Sequence, residues 1–114
     1  MKITTTKKPW GSFVSYTENE KSTVKLLYIN KGEAFSLQHH NHREEFWKII
    51  EGNPEITIGD KKIDAHKDDE FIIPVKTNHR IYAPDDNVTV LEISLGQFDE
   101  EDIVRIEDKY GRVK

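Results

Sequence analysis

The sequence predicts an all-β protein, folded as a sandwich or closed barrel of short strands. Apolar residues recur with a period near two in short runs, which is typical of half-buried strands. Glycine, proline, asparagine and aspartate separate the runs, at the spacing of about 8–12 residues found in all-β domains. The pattern does not alternate strands with helices, so strands alone are expected to build the core.

A turn signal follows most of the predicted strands. The clearest are Asn30-Lys31-Gly32, the Gly59-Asp60 pair of a hairpin, and Pro84-Asp85-Asp86-Asn87. The runs between them are rich in β-branched and aromatic residues, which favour strands. Strands are therefore predicted at residues 13–16, 23–29, 45–50, 55–58, 62–65, 70–73, 79–83 and 88–95.

The C-terminal tail is the one segment expected to be helical. Asp99 is a capping residue type, and the carboxylates at residues 100–102 would lie at the positive end of a helix dipole. Gly111 would end the segment. We expect this short helical tail to fold back onto the barrel through its apolar residues Ile103, Val104, Ile106 and Tyr110.

The composition indicates one domain, residues 1–114, with a modest core. A net charge of −4 argues against a nucleic-acid partner, because a phosphate backbone needs a basic surface. The absence of cysteine excludes disulfides and thiolate chemistry. The N-terminal residues lack the apolar run of a signal peptide, and no stretch approaches the ~20 apolar residues of a membrane helix. A cytoplasmic protein without a membrane partner is expected.

Two histidine-bearing segments contain candidate metal ligands. Alternate side chains of a strand share a face, so Gln38, His40 and His42 are expected to point the same way. Glu45 begins the next strand and can oppose them, and His79 begins a strand that pairs nearby. Such nitrogen and oxygen donors suit a divalent transition metal. The alternative is a hydrogen-bonded polar core that holds no metal.

The spacing of these residues resembles the two-part signature of the cupin superfamily. The matching residues are Gly32, Gln38, His40, Glu45 and Gly52 in the first part, and Pro74 and His79 in the second. Gln38 replaces a histidine, Asp68 and Lys76 replace glycines, and Ala83 replaces an asparagine. The resemblance implies a cupin double-stranded β-helix, a jelly-roll barrel, that binds a metal through Gln38, His40, Glu45 and His79.

Three further blocks resemble the type II phosphomannose isomerase cupin, which in many bacteria is joined to a guanylyltransferase. They are Lys8-Pro9-Trp10-Gly11, the residues Ser36-Leu37-Gln38, His40, His42-Arg43, Glu45 and Trp47, and the tail 101–112. The last two blocks are the specific ones. The likeness extends over nearly the whole chain, from about Trp10 to Arg112.

This resemblance implies a metal-dependent aldose–ketose isomerase that interconverts mannose 6-phosphate and fructose 6-phosphate through an enediolate. The implied cofactor is one divalent transition metal, zinc first, with manganese, cobalt and iron as alternatives. The implied partner is a small phosphorylated sugar. His42 is the candidate base, and Arg112 is the catalytic residue expected closest to the substrate. Arg43, Arg105 and Tyr110 are candidate substrate-binding residues.

Other functions stay open at the level of sequence. One is a non-catalytic module that binds a sugar phosphate or sugar nucleotide. Another is a different cupin enzyme, such as an epimerase or a dioxygenase, although Gln38 argues against an iron dioxygenase. No glycine-rich phosphate loop is present, so the chain alone is not expected to transfer nucleotides. Exposed edge strands favour a homodimer.

Overall fold

The computed structural model describes residues 1–111, which form eleven strands and no helix. The all-β prediction is confirmed. None of the described residues belongs to a helix that is long and apolar enough to cross a membrane. The strands are β1 (Thr4–Lys8), β2 (Gly11–Ser15), β3 (Ser22–Ile29), β4 (Leu37–His39), β5 (Glu45–Glu51), β6 (Glu55–Ile58), β7 (Lys61–Asp64), β8 (Glu70–Ile73), β9 (His79–Tyr82), β10 (Val88–Leu95) and β11 (Val104–Glu107).

Two antiparallel sheets pack face to face, and an N-terminal hairpin of β1 and β2 forms a third, two-stranded sheet. The four-stranded sheet has the order β3-β10-β5-β8, and the five-stranded sheet has the order β11-β4-β9-β6-β7. Most neighbours within each sheet are distant in sequence, which is typical of a jelly roll. This winding brings residues from separate parts of the chain to the space between the sheets.

The hydrophobic core fills one end of that space. Trp47 and Ile49 enter it from the four-stranded sheet, and Ile56 and Ile81 enter it from the five-stranded sheet; all four are fully buried. Alternate residues of β5 and β9 point inward, as the period-two pattern of the sequence predicts. The apolar packing fixes the strands that hold the polar residues at the other end.

The predicted helical tail is wrong. Asp99 does act as a cap, because its carboxylate accepts a hydrogen bond from the Glu101 backbone N–H at 2.9 Å, but the chain makes only one turn. Val104–Glu107 then pairs antiparallel with β4, and Val104 lies opposite His39. An isolated turn gains little from helical hydrogen bonds, whereas an open sheet edge offers a ladder at once. The tail therefore adds an edge strand.

Two residues that stand in place of signature glycines keep a glycine-like backbone. Asp68 has φ of 74° and Lys76 has φ of 59°, both in the left-handed region that L-residues rarely adopt. Lys76 is held there by its backbone N–H, which donates to the His40 carbonyl at 2.7 Å. The loop before His79 therefore keeps its turn although the glycine is replaced.

Gly52, the last glycine of the first signature part, is required by close packing. Its φ is +92°, and a Cβ atom at this position would lie 2.5 Å from the Asn87 carbonyl oxygen and 2.9 Å from Cγ2 of Val88. Gly32 has nearly the same φ, +84°, but a Cβ there would meet nothing within 4 Å. A side chain at position 32 would therefore meet only backbone strain, whereas a side chain at position 52 would meet both backbone strain and a steric clash.

Replacing each glycine by alanine is expected to destabilise the protein by different amounts. G32A should cost about 1 kcal/mol, since only the left-handed backbone is strained. G52A should cost about 3 kcal/mol or more, because the methyl group also overlaps the backbone of residues 87–88. Urea unfolding of both variants measures the difference. Equal losses would show that the contact at Gly52 relaxes without cost.

Candidate metal centre

Two histidines and a glutamate from three separate strands meet between the sheets. His40 follows β4 and His79 begins β9, both in the five-stranded sheet, whereas Glu45 begins β5 in the four-stranded sheet. The pairing of Gln38 with His79 brings the two histidine segments side by side. All three ligand-type side chains are almost fully buried. The cluster therefore spans the two layers of the fold.

The distances within the cluster suit a shared cation. Glu45 Oε1 lies 3.4 Å from His40 Nε2 and 3.3 Å from His79 Nε2, and the three atoms lie within 4.8 Å of one another. These separations are longer than ordinary hydrogen bonds. Two ligand atoms that share a tetrahedral cation at about 2.1 Å lie roughly 3.4 Å apart. Glu45 Oε1 and His79 Nε2 are buried without a hydrogen-bond partner, so both atoms need a further ligand.

Each histidine is fixed in the tautomer that a metal requires. His40 Nδ1 donates to the Asp102 carbonyl at 2.6 Å, and His79 Nδ1 donates to the Thr77 carbonyl at 2.9 Å. A carbonyl only accepts hydrogen bonds, so Nδ1 carries a proton in each ring and Nε2 is the ring atom left to bind a metal. Such backbone contacts orient metal-binding imidazoles. Both Nε2 atoms face Glu45 as a result.

A network on the far side of Glu45 holds its other oxygen. Ser94 Oγ donates to Glu45 Oε2 at 2.9 Å, and Arg43 Nε lies 3.4 Å from the same oxygen. Burial raises the pKa of Glu45, but the neighbouring His40 and His79 side chains lower it more, so the pKa lies well below its ordinary value. Glu45 is therefore an ionised carboxylate with one oxygen fixed and the other available.

The Arg43 side chain competes with a metal ion for His40 Nε2. Its Nη2 donates to His40 Nε2 at 3.2 Å, so the guanidinium takes the lone pair that a metal would need. Arg43 is buried, donates from Nη1 to the Asp99 carbonyl at 3.1 Å and lies 4.5 Å above the Phe98 ring. A bound cation thus requires the guanidinium to move away from His40. The donor set fits a divalent metal, with this one displacement.

A cavity of about 520 Å³ opens beside the cluster, within the size range of small-ligand sites. Its lining combines three cationic side chains with four carboxylates and a few apolar groups. The lining residues are Lys25, Leu27, Phe35, Gln38, His40, Arg43, Glu45, Glu92, Phe98, Glu100, Glu101, Ile103 and Arg105. The cavity reaches solvent past the tail, so a small polar molecule has access to the cluster.

Glu92 is a buried carboxyl group of this cavity that the sequence interpretation missed. It lies on β10 and accepts a hydrogen bond from Trp47 Nε1 at 3.0 Å. Burial raises the pKa of Glu92 to about 7, and the negative charge of Glu45 adds to the rise. The signal in the sequence was a charged residue at an inward-facing position of an otherwise apolar strand, Val88-Thr89-Val90-Leu91-Glu92-Ile93.

Gln38, the remaining predicted ligand, lines the cavity, whereas His42, the predicted base, does not. Gln38 lines the cavity, but its amide nitrogen faces His40 Nε2 at 3.5 Å, while its oxygen accepts a hydrogen bond from Ser36 Oγ at 2.6 Å. Ligation through the carbonyl oxygen needs the amide to turn over. His42 is exposed and is not part of the cavity lining, because β4 ends at His39 and the alternation stops.

The candidate substrate-binding residues are also separated. Arg105 lies opposite Gln38 on β11 and lines the cavity, and its Nε is buried with no hydrogen-bond partner among the described residues. Tyr110 lies outside this cavity, where its hydroxyl donates to Glu33 at the edge of a second groove. Arg112 lies outside the described residues.

A comparison with known protein families identifies the family of the chain. The model described as "Mannose-6-phosphate isomerase C-terminal" matches residues 2–108. The chain belongs to this family. The match covers both histidine segments and the part of the tail that contacts His40.

Curated relatives of this family are longer proteins. The xanthan biosynthesis protein XanB of Xanthomonas campestris pv. campestris (strain B100) is 35% identical over 107 residues, which cover 92% of this chain and 23% of XanB. The mannose-1-phosphate guanylyltransferase ManC of Salmonella typhimurium is 32% identical over 108 residues, which cover 93% of this chain and 22% of ManC. This chain therefore spans less than a quarter of the length of these relatives.

Solved structures confirm the cupin fold. A protein with a double-stranded β-helix domain from Klebsiella pneumoniae has a TM-score of 0.68 and 16% identity, covering 82% of this chain and 81% of its own. A cupin protein from Bacteroides fragilis has a TM-score of 0.60 and 24% identity, covering 68% and 70%. A putative sugar phosphate isomerase from Acidithiobacillus ferrooxidans has a TM-score of 0.61 and 18% identity, covering 67% and 51%. At these identities the likeness concerns the fold alone.

The raised pKa of Glu92 predicts that the metal-free protein becomes less stable as the pH rises. The native state holds a proton on Glu92 up to about pH 7, whereas the unfolded chain releases it near its ordinary value of 4.5. Stability relative to the E92Q variant is therefore fully present below pH 4.5 and is lost as the pH rises through 7.

The expected loss is about 3 kcal/mol between these limits, since each pKa unit corresponds to about 1.4 kcal/mol. Chelator-treated wild type and E92Q are unfolded in urea at several pH values. A difference between the two proteins that does not change with pH would contradict the buried, protonated carboxyl group.

Proposed function

We propose that this chain is a metal-dependent isomerase domain that interconverts mannose 6-phosphate and fructose 6-phosphate. The observation that supports the proposal most is the buried cluster of His40, Glu45 and His79, with two unsatisfied ligand atoms, at the floor of a cavity open to small molecules. The family to which the chain belongs supports the substrate class. The guanylyltransferase activity named for the longer relatives is not proposed for this chain.

His40, Glu45 and His79 would hold the cation, zinc first, with Gln38 as a fourth ligand once its amide turns over. When bound, a divalent cation supplies a Lewis acid that polarises a sugar carbonyl. The chain itself supplies the fixed imidazole tautomers and the dry wall of Trp47 and Phe35 against His79, with ring centroids 5.4 and 6.5 Å away. These contacts exclude water from the back of the site.

Arg105 is the proposed phosphate ligand. Its Nε has no partner among residues 1–111, and its guanidinium lines the cavity next to Gln38. Guanidinium groups bind phosphate through two parallel hydrogen bonds. The other lining cations are engaged, since Lys25 Nζ lies 4.0 Å from the Phe98 ring centroid and Arg43 contacts Glu45. Arg43 and Tyr110 stay proposed substrate contacts, and Arg112 and His42 stay proposed catalytic residues.

One observation favours a second candidate, a sugar-phosphate-binding module without catalysis. The Arg43 guanidinium already supplies a positive charge to Glu45 and a donor to His40. A protein in which this contact persists would bind no metal and would leave its ligand unchanged. The two candidates differ in metal content and in turnover, so one preparation distinguishes them.

The test of the proposed function is turnover of mannose 6-phosphate in a coupled assay that detects fructose 6-phosphate. Protein reconstituted with Zn²⁺, Mn²⁺, Co²⁺ or Fe²⁺ is expected to turn over with one metal bound per chain, and chelation should abolish the activity. E45Q removes the charged ligand and should lower metal content and turnover together. The control E51Q changes an exposed glutamate of the same strand. No turnover with any of the metals would reject the proposal.

The R105Q variant tests the phosphate contact. Loss of a charge-assisted hydrogen-bonding pair to phosphate should raise KM for mannose 6-phosphate by about 10–100-fold. The control K62Q removes the same charge at an exposed position of β7. Steady-state kinetics measure both variants. An unchanged KM in R105Q, or an equal change in K62Q, would place the phosphate elsewhere.

A homodimer in the cytoplasm also stays a proposal. It is supported by the edge strand β3, where the alternating residues Val24, Leu26 and Tyr28 leave about half or more of their surface exposed, at 59%, 50% and 71%.

A further inference from the structure

Glu92 lies next to the metal cluster on the inner face of the four-stranded sheet. In the β5–β10 register Glu45 pairs with Ser94, and Trp47 pairs with Glu92. Glu45 and Glu92 are therefore diagonal neighbours on one face, at positions whose Cα atoms lie about 7–8 Å apart. Both side chains line the same cavity. A ligand held at the cluster has Glu92 at its side.

The two oxygens of Glu92 have different environments. Oε2 accepts the hydrogen bond from Trp47 Nε1, at 3.0 Å, and Trp47 is itself fully buried. No hydrogen bond within residues 1–111 engages Oε1. The indole fixes the direction of the carboxyl group, so one oxygen is anchored and the other is available to the cavity.

The other candidate bases in the cavity are committed or exposed. Glu45 has one oxygen held by Ser94 and the other facing two imidazoles. Glu100 and Glu101 are exposed at the cavity rim. His42 is exposed and does not line the cavity. Glu92 alone among the carboxyl groups of the described lining combines burial, at 8% exposure, with an available oxygen that is not proposed to bind the metal.

We propose that Glu92 is the catalytic base of the isomerase, and this inference rests on the proposed function. Oε1 removes the proton from C2 of the open-chain aldose phosphate, which breaks the C2–H bond and leaves an enediolate. The same oxygen returns that proton to C1 and forms the C1–H bond. The hydroxyl proton of O2 ends on O1, so aldose and ketose have the same composition and no oxidant or reductant is needed.

The test compares wild type, E92Q and E92D with E51Q as the matched control. Each protein is loaded with the same metal, and its metal content is measured. The readouts are kcat for mannose 6-phosphate, exchange of the C1 and C2 hydrogens with ²H₂O by NMR, and calorimetric binding of sorbitol 6-phosphate, which cannot isomerise. Glutamine at position 92 still accepts from Trp47 but cannot take a proton.

E92Q is expected to lose about 10²–10⁴-fold in kcat and in hydrogen exchange, because a general base contributes that much, while metal content and sorbitol 6-phosphate binding stay at the wild-type level. E92D, with its carboxyl group withdrawn by one methylene, should recover part of the loss. E51Q should match wild type.

Three results would overturn the inference. An E92Q protein that keeps more than about a tenth of wild-type kcat has its base elsewhere. A loss of kcat accompanied by an equal loss of metal or of sorbitol 6-phosphate binding would assign Glu92 a structural role. If E92Q does not fold, full activity of E92D overturns the proposal instead. Wild type without turnover would reject the isomerase itself, which distinguishes the failure of the function from the failure of the Glu92 role.

Discussion

The arrangement of this protein depends on one buried carboxylate, Glu45, placed between two imidazoles that belong to the opposite sheet. An ionised carboxylate between sheets is costly unless positive charge compensates it. Two groups are available for that task, a divalent cation held with His40 and His79, and the Arg43 guanidinium. The protein is thus built around a negative charge, and what neutralises that charge decides whether it is an enzyme or a binding module.

The tail and the site are one structural unit. The Asp102 carbonyl accepts a hydrogen bond from His40 Nδ1, and the Asp102 carboxylate accepts hydrogen bonds from the backbone N–H groups of Asn41 and His42 at 2.8 and 3.0 Å. Burial raises the pKa of Asp102, but these two donors and the nearby His42 and His40 side chains together lower it by more, so its pKa lies below the ordinary value. β11 then carries Arg105 to the cavity. The segment that closes the barrel therefore also orients His40 and brings a cationic side chain to the cavity.

The sequence predicted most of the strands and the histidine-bearing segments that meet between the sheets, because both depend on short-range patterns. The alternation of apolar residues in β5 and β10 and the intervals between Gln38, His40, Glu45 and His79 are visible without coordinates. The pairing of strands across a sheet is not visible in the sequence. That pairing determined the structure of the tail and the environment of Glu92. The capping signal at Asp99 suggested a helix, but the edge offered by β4 made residues 104–107 a strand. Glu92 was missed because its environment comes from Trp47 and Glu45, which lie more than 40 residues away in sequence.

The most direct measurement is a crystal structure of metal-reconstituted protein, with anomalous diffraction recorded above and below the absorption edge of the metal. A metal held by the cluster should give one edge-dependent peak, about 2.0–2.2 Å from His40 Nε2, His79 Nε2 and a Glu45 oxygen, with the Arg43 guanidinium withdrawn from His40. A structure with no peak there and with Arg43 still hydrogen-bonded to His40 Nε2 would contradict this metal centre.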